Sequence, residues 1–527
     1  MFRINIVGAG LAGLTAAVHL AEKGIGSNLI SVQISERAQS VMAAGGINAA
    51  MDVSGESDTV QEHFDDTMRG GVYLADPEAV RGLTGTAPEI IRRLMELGVP
   101  FNMEGESLVQ RHFGGQKKIR TAYARSSTGK ALMTAMIDAA RRYEGDLIKR
   151  FSRHRFRALC IEDGTCKGVR IEDVCTGEIR ALAGPVILAF GGSNGMFPGR
   201  TTGTTANDGC ALAAVFAQGV ELANLEFIQY HPTTVQIPGK CMLISEAARG
   251  EGGRLFALRD GRPWYFMEEL HPSLGNLMPR DVISREMALL KNEPGCTGEV
   301  CLDLMGLDEA VWSGKLSDLR EEIIDYLHLD PKITPVPVSP GIHFFMGGIR
   351  VNDRHETNVK GLLAAGEAAC KYHGANRLGG NSMLGAIFGG RTAAETAVPL
   401  AADISVTEIE ADAPAPSAPE QRRLLREALV EGLGIVRTPE EMGAAQQKLE
   451  RLLQQPDRGE MDRMRLRLGL AMVRSAQARL ESRGAHYRLD YPETREDFRR
   501  LTIAQWADDA IKITFVPADV CPGGEEA

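Results

Sequence analysis

The N-terminus of the chain carries the feature that most constrains its fold. An apolar run at residues 4–7 leads into a glycine-rich turn and then a helical stretch, and the turn reads Gly8, Ala9, Gly10, Leu11, Ala12, Gly13. Strand, glycine-rich turn and helix in this order form the dinucleotide-binding fingerprint. Gly8 permits the tight turn, Gly10 lets the backbone approach a pyrophosphate, and Gly13 lets the helix pack on the strand. The sequence therefore predicts a Rossmann-like α/β domain with a dinucleotide site at the helix N-terminus.

The residue that usually binds a ribose hydroxyl is not an acid in this chain. The second strand, at about 27–33, ends without Asp or Glu, and Glu36 comes late. Ser31 is therefore the candidate for the ribose or adenosine contact.

Length and charge indicate a large enzyme. The 527 residues, 44% hydrophobic and 24% charged, can bury more than one core, so about three domains are expected. The net charge of −10 argues against nucleic acid as a partner. No run reaches the roughly 18 apolar residues of a membrane span, and the N-terminus lacks the basic segment of a signal peptide. We therefore expect a cytoplasmic protein without a membrane span of its own.

Cysteine spacing bears on electron transfer. The nine cysteines include no C-x-x-C pair, so neither an iron–sulfur run nor a haem attachment is visible. They are expected to be reduced, as in other cytosolic proteins. No resident metal is predicted, and any further electron carrier must belong to a partner.

Two more glycine-rich turns indicate how the chain divides into domains. Apolar strands run into such turns at 185–195 and 361–369, which predicts a discontinuous dinucleotide domain at 1–235 and 343–405. The intervening 236–342 predicts an α+β capping domain that forms a lid. A Pro/Ala-rich linker at 406–419 leads to a helical C-terminal domain at 420–527. Its many arginines are expected on a solvated or subunit-facing surface.

Five motifs far apart in the chain share one chemistry, because each supplies a cation, hydroxyl or carboxylate beside glycine. They are YHPTTV at His231, ISEAARGEGG from Ser245, PRD at Arg280, HFFMGG at His343 and GANRLGGNS at Arg377. In an acidic chain these groups form a local exception that attracts an anion into a cleft. The set is suited to an anionic substrate held against a flat cofactor.

These motifs resemble the flavoprotein subunits of succinate dehydrogenase and fumarate reductase, with L-aspartate oxidase as a close cousin. The resemblance extends from the fingerprint through GGIN, EHFDDT, RHFGG, NLMPRD and HGANRLGGNSM to ESRGAHYRLDYPE, and so covers nearly the whole chain. It implies FAD as the cofactor and hydride transfer between flavin N5 and a carbon–carbon bond flanked by carboxylates.

The resemblance implies roles for the reactive residues. Arg280 is similar to the family's catalytic acid/base, and Glu246 and Arg249, three apart on one helical face, are similar to its proton relay. Arginine normally stays protonated, so it can donate only if its neighbours are arranged for it and a relay restores its proton.

The substrate's two carboxylates are implied to bind at separate ends of the site. His231 and Ser245 resemble the clamp at one end, and His343 and Arg377 resemble the clamp at the other. Arg377 can hold a carboxylate with two parallel donors, which lysine cannot do in the same geometry.

The resemblance further implies FAD contacts outside the fingerprint. Asp208, Glu367 and the turn at 381–383 are similar to the family's contacts to ribityl, ribose and flavin carbonyl. The other implied contacts lie on the second strand or in the segment that comes after it. The full set outside the fingerprint is Ser31, Arg37, Gln39, Ser40, Gly45, Gly46, Asp208, Glu367, Asn381, Ser382 and Met383.

One departure from the family pattern bears on the reaction. Relatives in respiratory complexes have histidine at the position of Gln39, and that histidine carries the flavin covalently. Gln39 has no imidazole, so FAD is expected to be held non-covalently. A covalent 8α link raises the flavin potential, and its absence favours reduction of fumarate-like acceptors over oxidation of succinate.

The resemblance favours a fumarate reductase-like subunit that receives electrons from an iron–sulfur partner, at the cytoplasmic face of the membrane if that partner is membrane-bound. The alternative is an L-aspartate oxidase-type enzyme. That family carries an acid near the position of Gly114 to meet the substrate amine, whereas the segment at 111–115 resembles the succinate and fumarate branch. A third reading is a non-catalytic electron-transfer flavoprotein, against which the set Arg280, Glu246 and Arg249 argues.

Overall fold

The computed structural model of the chain describes residues 3–238, 240–400, 419–455 and 459–523. Its α-helices are α1 (Leu11–Glu22), α2 (Val60–Gly70), α3 (Pro77–Glu96), α4 (Thr128–Arg141), α5 (Cys210–Ala217), α6 (Ala247–Gly250), α7 (Phe266–Leu270), α8 (Arg280–Leu289), α9 (Ser317–Leu327), α10 (Asn381–Leu400), α11 (Pro419–Gly432), α12 (Pro439–Leu453) and α13 (Glu460–Ala478).

The strands up to the start of the capping region are β1 (Arg3–Val7), β2 (Gly26–Ser31), β3 (Ile47–Asn48), β4 (Met103–Glu104), β5 (Ser107–Leu108), β6 (Gln110–Arg111), β7 (Thr121–Ala122), β8 (Ile148–Ser152), β9 (His154–Glu162), β10 (Thr165–Asp173), β11 (Ile179–Ala183), β12 (Val186–Leu188), β13 (Leu222–Ala223) and β14 (Ile228–Ile237). Those that follow are β15 (Lys240–Leu243), β16 (Arg254–Arg259), β17 (Arg262–Trp264), β18 (Cys296–Asp303), β19 (Val336–Phe345), β20 (Gly348–Arg350), β21 (Leu362–Ala364), β22 (Ala369–Cys370), β23 (Val436–Arg437), β24 (Tyr487–Arg488), β25 (Leu501–Ala507) and β26 (Ala510–Val516).

A parallel sheet in the order β21-β12-β1-β2-β8 forms the centre of the fold. Strands β1, β12 and β21 are mainly apolar and buried, as strands covered on both faces of a parallel sheet must be, whereas β8 at the edge is more polar and partly exposed. Helices α1, α3, α4 and α10 pack on one face, while β9, β10 and α5 cover the other. The three glycine-terminated strands therefore come from separate parts of the chain, which confirms the predicted discontinuous Rossmann-like domain.

The fingerprint glycines have steric reasons to be glycine. Gly8 has φ +120°, and a Cβ there would lie 2.1 Å from the carbonyl oxygen of Ala189. A Cβ on Gly13 would lie 1.9 Å from the carbonyl oxygen of Gly8, so only glycine lets α1 pack this closely on β1. By contrast, a Cβ on Gly10 would lie 3.5 Å from Ser40 Oγ, an ordinary contact, so the space beside Gly10 is open to a ligand.

The capping region is built on a six-stranded sheet in the order β15-β14-β19-β18-β16-β17. The long antiparallel pair β14 and β19 carries the chain into and out of this region. The predicted boundaries at 236 and 342 both fall inside these two strands, because the strands are shared between the capping core and the central domain.

The C-terminal region is only partly helical. Helices α11, α12 and α13 pack together, but β25 and β26 form a hairpin that adds to the sheet β22-β20-β13-β25-β26. The expectation of a helical domain over all of 420–527 is therefore wrong beyond Ala478. In 510–516 the apolar residues Ile511, Ile513 and Phe515 alternate with exposed residues, a pattern typical of a half-buried strand rather than a helix. The predicted linker lies outside the described residues except for Pro419.

Buried arginines fasten this region to the central domain, contrary to the expectation of a charged surface. The Arg479 side chain is fully buried and uses all five of its N–H donors. They go to Glu226 Oε1 at 2.7 Å, Glu481 Oε1 at 2.8 Å, the Thr502 hydroxyl at 2.7 Å, and two backbone carbonyls at 2.8 Å each. Spacing alone gave no sign of these partners, because they come from distant segments.

We expect Arg479→Met to destabilise the protein strongly. The substitution leaves the buried Glu226 carboxylate without its guanidinium, and breaking a buried pair on one side costs about 3–5 kcal/mol. Arg423→Met is the matched control, because Arg423 makes an exposed pair with Glu427 on α11 that contributes about 0.5 kcal/mol. The midpoint of thermal unfolding measures both. Equal midpoints for the two variants would contradict the account.

Candidate active site

A cavity of about 860 Å³ lies across the carboxyl ends of the parallel strands. Residues that follow β1, β2, β12 and β21 line it, and they include Gly8, Ser31, Gly191 and Glu367. This is the edge at which open parallel sheets bind ligands. The cavity continues to the capping region, where Ser245, Glu246 and Arg280 line its far end.

Most of the predicted cofactor residues line this cavity. They are Gly8, Ala9, Gly10, Leu11, Ala12, Ser31, Arg37, Gln39, Ser40, Gly45, Gly46, Asp208, Glu367, Ser382 and Met383. Gly13 lies behind the wall in its packing role. Asn381 also lies behind the wall, because its side chain is fully buried and bonds to Asn48, His63 and Thr67. It supports the N-terminus of α10, on which Ser382 and Met383 stand.

The N-terminus of α1 points into the cavity with a hydroxyl beside it. Ser40 Oγ accepts a hydrogen bond from the Leu11 N–H at 3.2 Å, and Gly10, the N-cap, has no side chain. N–H groups and the helix dipole make this end attractive to phosphate. Nearby, Gln39 Oε1 accepts a hydrogen bond from the Thr204 N–H at 2.6 Å. The Gln39 side chain is thereby fixed in the cavity wall.

Two carboxylates stand in the wall at different places. Glu367 Oε1 accepts a hydrogen bond from the Phe345 N–H at 3.0 Å, and burial raises the pKa of Glu367 to about 7. Asp208 pairs with Arg465 from α13 and accepts a hydrogen bond from the Cys210 N–H at 3.1 Å. Burial alone would raise the pKa of Asp208, but Arg465 and the bonds at Cys210 hold it below its usual value.

At the capping end, Arg280 is held by a bidentate ion pair. Its Nε and Nη2 donate to Glu246 Oε2 at 3.0 and 2.6 Å. Arg280 is the first residue of α8, where the helix dipole disfavours a cation. Glu246 compensates for this cost from the N-cap of α6. Burial would raise the pKa of Glu246, yet Arg280 and Arg249 outweigh burial and lower it.

Arg249 lies directly behind Glu246. Its Nη2 is 3.5 Å from Glu246 Oε1, and its Nη1 donates to the Asn276 carbonyl at 2.7 Å. Burial, and secondarily the charge of Arg280, lowers the pKa of Arg249. The three predicted residues therefore form a contiguous row, Arg280–Glu246–Arg249, with only Arg280 and Glu246 at the cavity.

Gln229 joins the two arginines that face the cavity, and the sequence analysis missed it. Its Oε1 accepts from Arg280 Nη1 and from Arg377 Nη2, both at 3.1 Å. Its Nε2 donates to Asn376 Oδ1 at 2.7 Å and to the Arg377 carbonyl at 2.8 Å, which fixes the orientation of the amide. The signal available in the sequence was its position two residues before His231 on one strand, since alternate residues share a face.

Two irregularities in the β14–β19 ladder place the histidines. His343 is the extra residue of a bulge opposite Gln229 and Tyr230, and a second break follows His231, where Pro232 cannot donate to the ladder. The two imidazoles meet edge to face with centroids 5.2 Å apart. The predicted separate clamps are therefore adjacent on their histidine sides, although Ser245 and Arg377 flank them.

Both histidines are neutral bases in this site. Burial lowers the pKa of His231 and of His343 well below the usual value, and the charge of Arg280 lowers each further. His231 Nδ1 accepts from the Thr233 N–H at 3.3 Å, so its proton lies on Nε2, which can donate to a ligand. The positive charge at this end therefore comes from arginine alone.

The comparisons with known proteins agree with this geometry. The family profile described as "FAD binding domain" matches residues 4–383, and the profile described as "Fumarate reductase flavoprotein C-term" matches residues 422–522. The chain belongs to the succinate dehydrogenase and fumarate reductase flavoprotein family. It is an FAD-dependent oxidoreductase.

Members of this family resemble the chain over nearly its full length. The succinate dehydrogenase flavoprotein subunit of Bacillus subtilis is 36% identical over 94% of this chain and 92% of that protein. One subunit of the CoM/CoB fumarate reductase of Methanothermobacter marburgensis is 33% identical over 94% of this chain and 96% of that protein. A variant of the E. coli quinol fumarate reductase flavoprotein is 29% identical, with a TM-score of 0.88 and coverage of 100% and 99%.

The cavity fits the FAD that this family binds. The glycines at β1 leave space for a pyrophosphate, the N-terminus of α1 supplies N–H donors, and Glu367 and Asp208 offer acceptors for hydroxyl groups. Within the described residues, no group of three or more His, Cys, Asp or Glu side chains is placed to hold a metal ion. No helix among them is both long and apolar enough to cross a membrane.

The raised pKa of Glu367 predicts how the stability of the cofactor-free protein depends on pH. The folded state holds this proton more tightly than the unfolded chain, so stability is lost as the pH rises from about 4.5 through about 7. The side chain of Glu367→Gln stays neutral at every pH. The difference in Tm, variant minus parent, should therefore increase from pH 5 to pH 8.5. The exposed Glu293→Gln is the control and should show no such trend. A constant difference for Glu367→Gln would refute the account.

Proposed function

We propose that this chain is the catalytic subunit of a fumarate reductase-type enzyme. It would bind an unsaturated dicarboxylate at the capping end of the cavity and donate a proton to it from Arg280. FAD, held by the fingerprint turn and the other residues of the cavity wall, would supply the hydride for the carbon–carbon double bond. The single observation that carries this proposal is the excess of buried positive charge around the Arg280–Glu246 pair.

The charge count favours two carboxylates in the ligand. Arg280, Arg377 and Arg249 are buried together, the Glu246 carboxylate pairs with Arg280 and Arg249, and Glu367 and Glu246 are the carboxylates whose charges act on Arg377. Burial, and then the charge of Arg280, lowers the pKa of Arg377 well below its usual value, which shows how costly its charge is there. A dianion arriving between Arg280 and Arg377 offsets that cost, and the neutral His231 and His343 donate hydrogen bonds to it.

The row Arg280–Glu246–Arg249 supports proton delivery. Arg280 faces the cavity, and Glu246, its partner, is close to Arg249 on the side away from the cavity. After Arg280 gives a proton to the substrate carbon, the Glu246 carboxylate can take a proton from Arg249 and pass it to Arg280, and Arg249 then regains a proton from the side away from the cavity. The function of Gln229 would be to keep Arg280 and Arg377 at a fixed separation despite their mutual repulsion.

We propose that FAD is held without a covalent link and that fumarate reduction is the favoured direction. Gln39 lines the cavity where relatives of the respiratory type have the flavin-linking histidine, and an amide side chain cannot form that bond. Without the link the flavin potential is lower, which favours giving electrons to an enoate.

We further propose that an iron–sulfur partner protein is the electron source, with the assembly on the cytoplasmic side. The relatives have different electron sources in their names, quinol in one case and CoM/CoB in another. No C-x-x-C pair is present in the chain, so the clusters must be supplied from outside it.

An L-aspartate oxidase activity finds less support in the site. A substrate amine needs a carboxylate that is not already committed. Among the described residues of the capping region, the acids that line the cavity are Glu246, which is buried and taken up by Arg280, and Glu322 on α9, which is exposed to solvent. Gly114, where the oxidase family has an acid nearby, instead lies against Glu246.

The absence of a covalent link can be tested directly. Because Gln39 cannot bond to the flavin, acid precipitation in denaturant should release all of the FAD into the supernatant. The visible absorbance of the supernatant measures the released FAD. Flavin fluorescence that stays with the polypeptide on a denaturing gel measures the FAD that remains attached. Fluorescence retained on the polypeptide would overturn this part of the proposal.

The substrate class is tested by relative kcat/KM with reduced viologen dye under anaerobic conditions. A monocarboxylate leaves one buried arginine unpaired, at a cost of about 2–5 kcal/mol. Fumarate should therefore exceed crotonate and acrylate by roughly 30-fold or more, since each 1.4 kcal/mol is about tenfold. Malonate should compete with fumarate. Equal values for the three enoates would exclude the two-carboxylate site.

Arg280→Lys provides the matched variant for this experiment. It keeps the positive charge, so FAD content and much of the substrate binding should remain, but lysine cannot reproduce the bidentate contact to Glu246. The value of kcat should fall by orders of magnitude because proton donation acts in the transition state. Near-normal turnover in Arg280→Lys would assign the acid to another group. Peroxide formation with aspartate and oxygen would instead favour the oxidase.

A further inference from the structure

One face of helix α13 backs the cofactor end of the cavity. Arg465 on this helix pairs with Asp208 in the cavity wall. Seven residues further along, Met472 borders a small void of about 10 Å³ that Glu367 also borders. Residues seven apart lie on the same face of a helix. The same face of α13 therefore contacts Asp208 through Arg465 and approaches Glu367 across the void.

Asp208 is fixed by bonds on two sides. Its Oδ2 pairs with Arg465 Nη2, and its Oδ1 accepts from the Cys210 N–H at 3.1 Å. The Arg465 side chain is only 6% exposed, and its Nη1 lies 3.3 Å from Asp462 Oδ1 one turn earlier on α13. A carboxylate has about four lone-pair sites, so Asp208 retains acceptor capacity towards the cavity.

The charge of Asp208 depends on the same contact. Burial favours the protonated acid, and Arg465 is the largest influence that opposes it. The other titratable or charged groups that face this pair are Arg155, Cys210, Arg426 and Asp462. None of these takes the place of the direct contact from Arg465 to Asp208.

We propose that Arg465 is a positioning residue for FAD. It holds Asp208 in place, and ionised, as an acceptor for a hydroxyl group of the cofactor, and so links the C-terminal helices to flavin occupancy. The proposal rests on Asp208 being a cofactor contact, as the proposed function has it. It assigns to the C-terminal region a part in holding the flavin, in addition to its packing.

The test is the affinity of the cofactor-free protein for FAD, measured by quenching of flavin fluorescence. Arg465→Met should raise the Kd tenfold or more at pH 7, and Arg465→Lys should recover part of the loss because it restores a charge but not the fork geometry. Asp208→Asn should weaken binding as well. Combining Arg465→Met with Asp208→Asn should cost no more than Asp208→Asn alone, because both changes remove one interaction.

The pH dependence separates positioning from simple loss of stability. Glu367, whose pKa burial raises to about 7, titrates between pH 8 and pH 5 in every variant, so the measured quantity is the ratio of the Kd of Arg465→Met to the Kd of the parent. In the parent Arg465 keeps Asp208 ionised, whereas in Arg465→Met burial raises the pKa of Asp208. The ratio should therefore increase as the pH falls through this range.

Arg467→Met is the control on the same helix, where Arg467 stacks on Trp506 at 4.1 Å. If Arg465→Met lowers the Tm as Arg467→Met does but leaves the Kd and its pH profile unchanged, the proposal is overturned. If Arg465→Met does not fold, Arg465→Lys and Asp208→Asn still decide it: an Asp208→Asn variant with unaltered affinity overturns it. These measurements do not involve turnover, so their outcome does not depend on which substrate the enzyme reduces.

Discussion

A buried surplus of positive charge is the constraint on which the site depends. Arg280, Arg377 and Glu246 line the capping end of the cavity and Arg249 lies behind Glu246, and ions without partners are expensive to keep out of water. The fold meets this cost with neutral acceptors, above all the Gln229 oxygen that receives N–H groups from both Arg280 and Arg377. The histidines add no charge, because burial keeps them neutral. The positive charge that these groups do not offset favours the binding of an anion.

The groups of the site come from structural units that must be aligned. Glu246 and Arg280 belong to the capping region, whereas Arg377 follows the central sheet. The shared strands β14 and β19 connect the two, and their bulges turn His231 and His343 towards each other. At the opposite end of the cavity, α13 holds Asp208. The cavity is therefore bounded by units that are joined by shared strands, a common apolar core and buried polar contacts.

Sequence predicted the central sheet and the identities of most site residues, because both depend on local patterns. At Gly8 and Gly13 only glycine fits the close packing of the fingerprint turn, so the turn can be recognised from sequence. Motifs such as PRD are recognisable because they are specific to the family. Gln229 was not predicted because its role depends on two arginines that are far apart in the sequence and meet only in the fold. The buried role of Arg479 and the hairpin of β25 and β26 were not predicted for the same reason. An arginine in a helical pattern is expected to be exposed to solvent, and its partner Glu226 lies 253 residues away in the sequence.

The central sheet also dictates when this chain can fold during its synthesis. Strand β1 is complete at Val7, but its neighbour β12 ends at Leu188, and the outer strand β21 ends at Ala364. At about 5–20 residues per second a ribosome needs roughly twenty seconds to a minute to make the last of these strands after the first. During the first part of that interval β1 has β2 and then β8 on one side, but its other edge stays unpaired until β12 is made. An unpaired apolar strand edge can pair with another chain, so the nascent protein carries an edge that is prone to aggregation until its own later strands cover it.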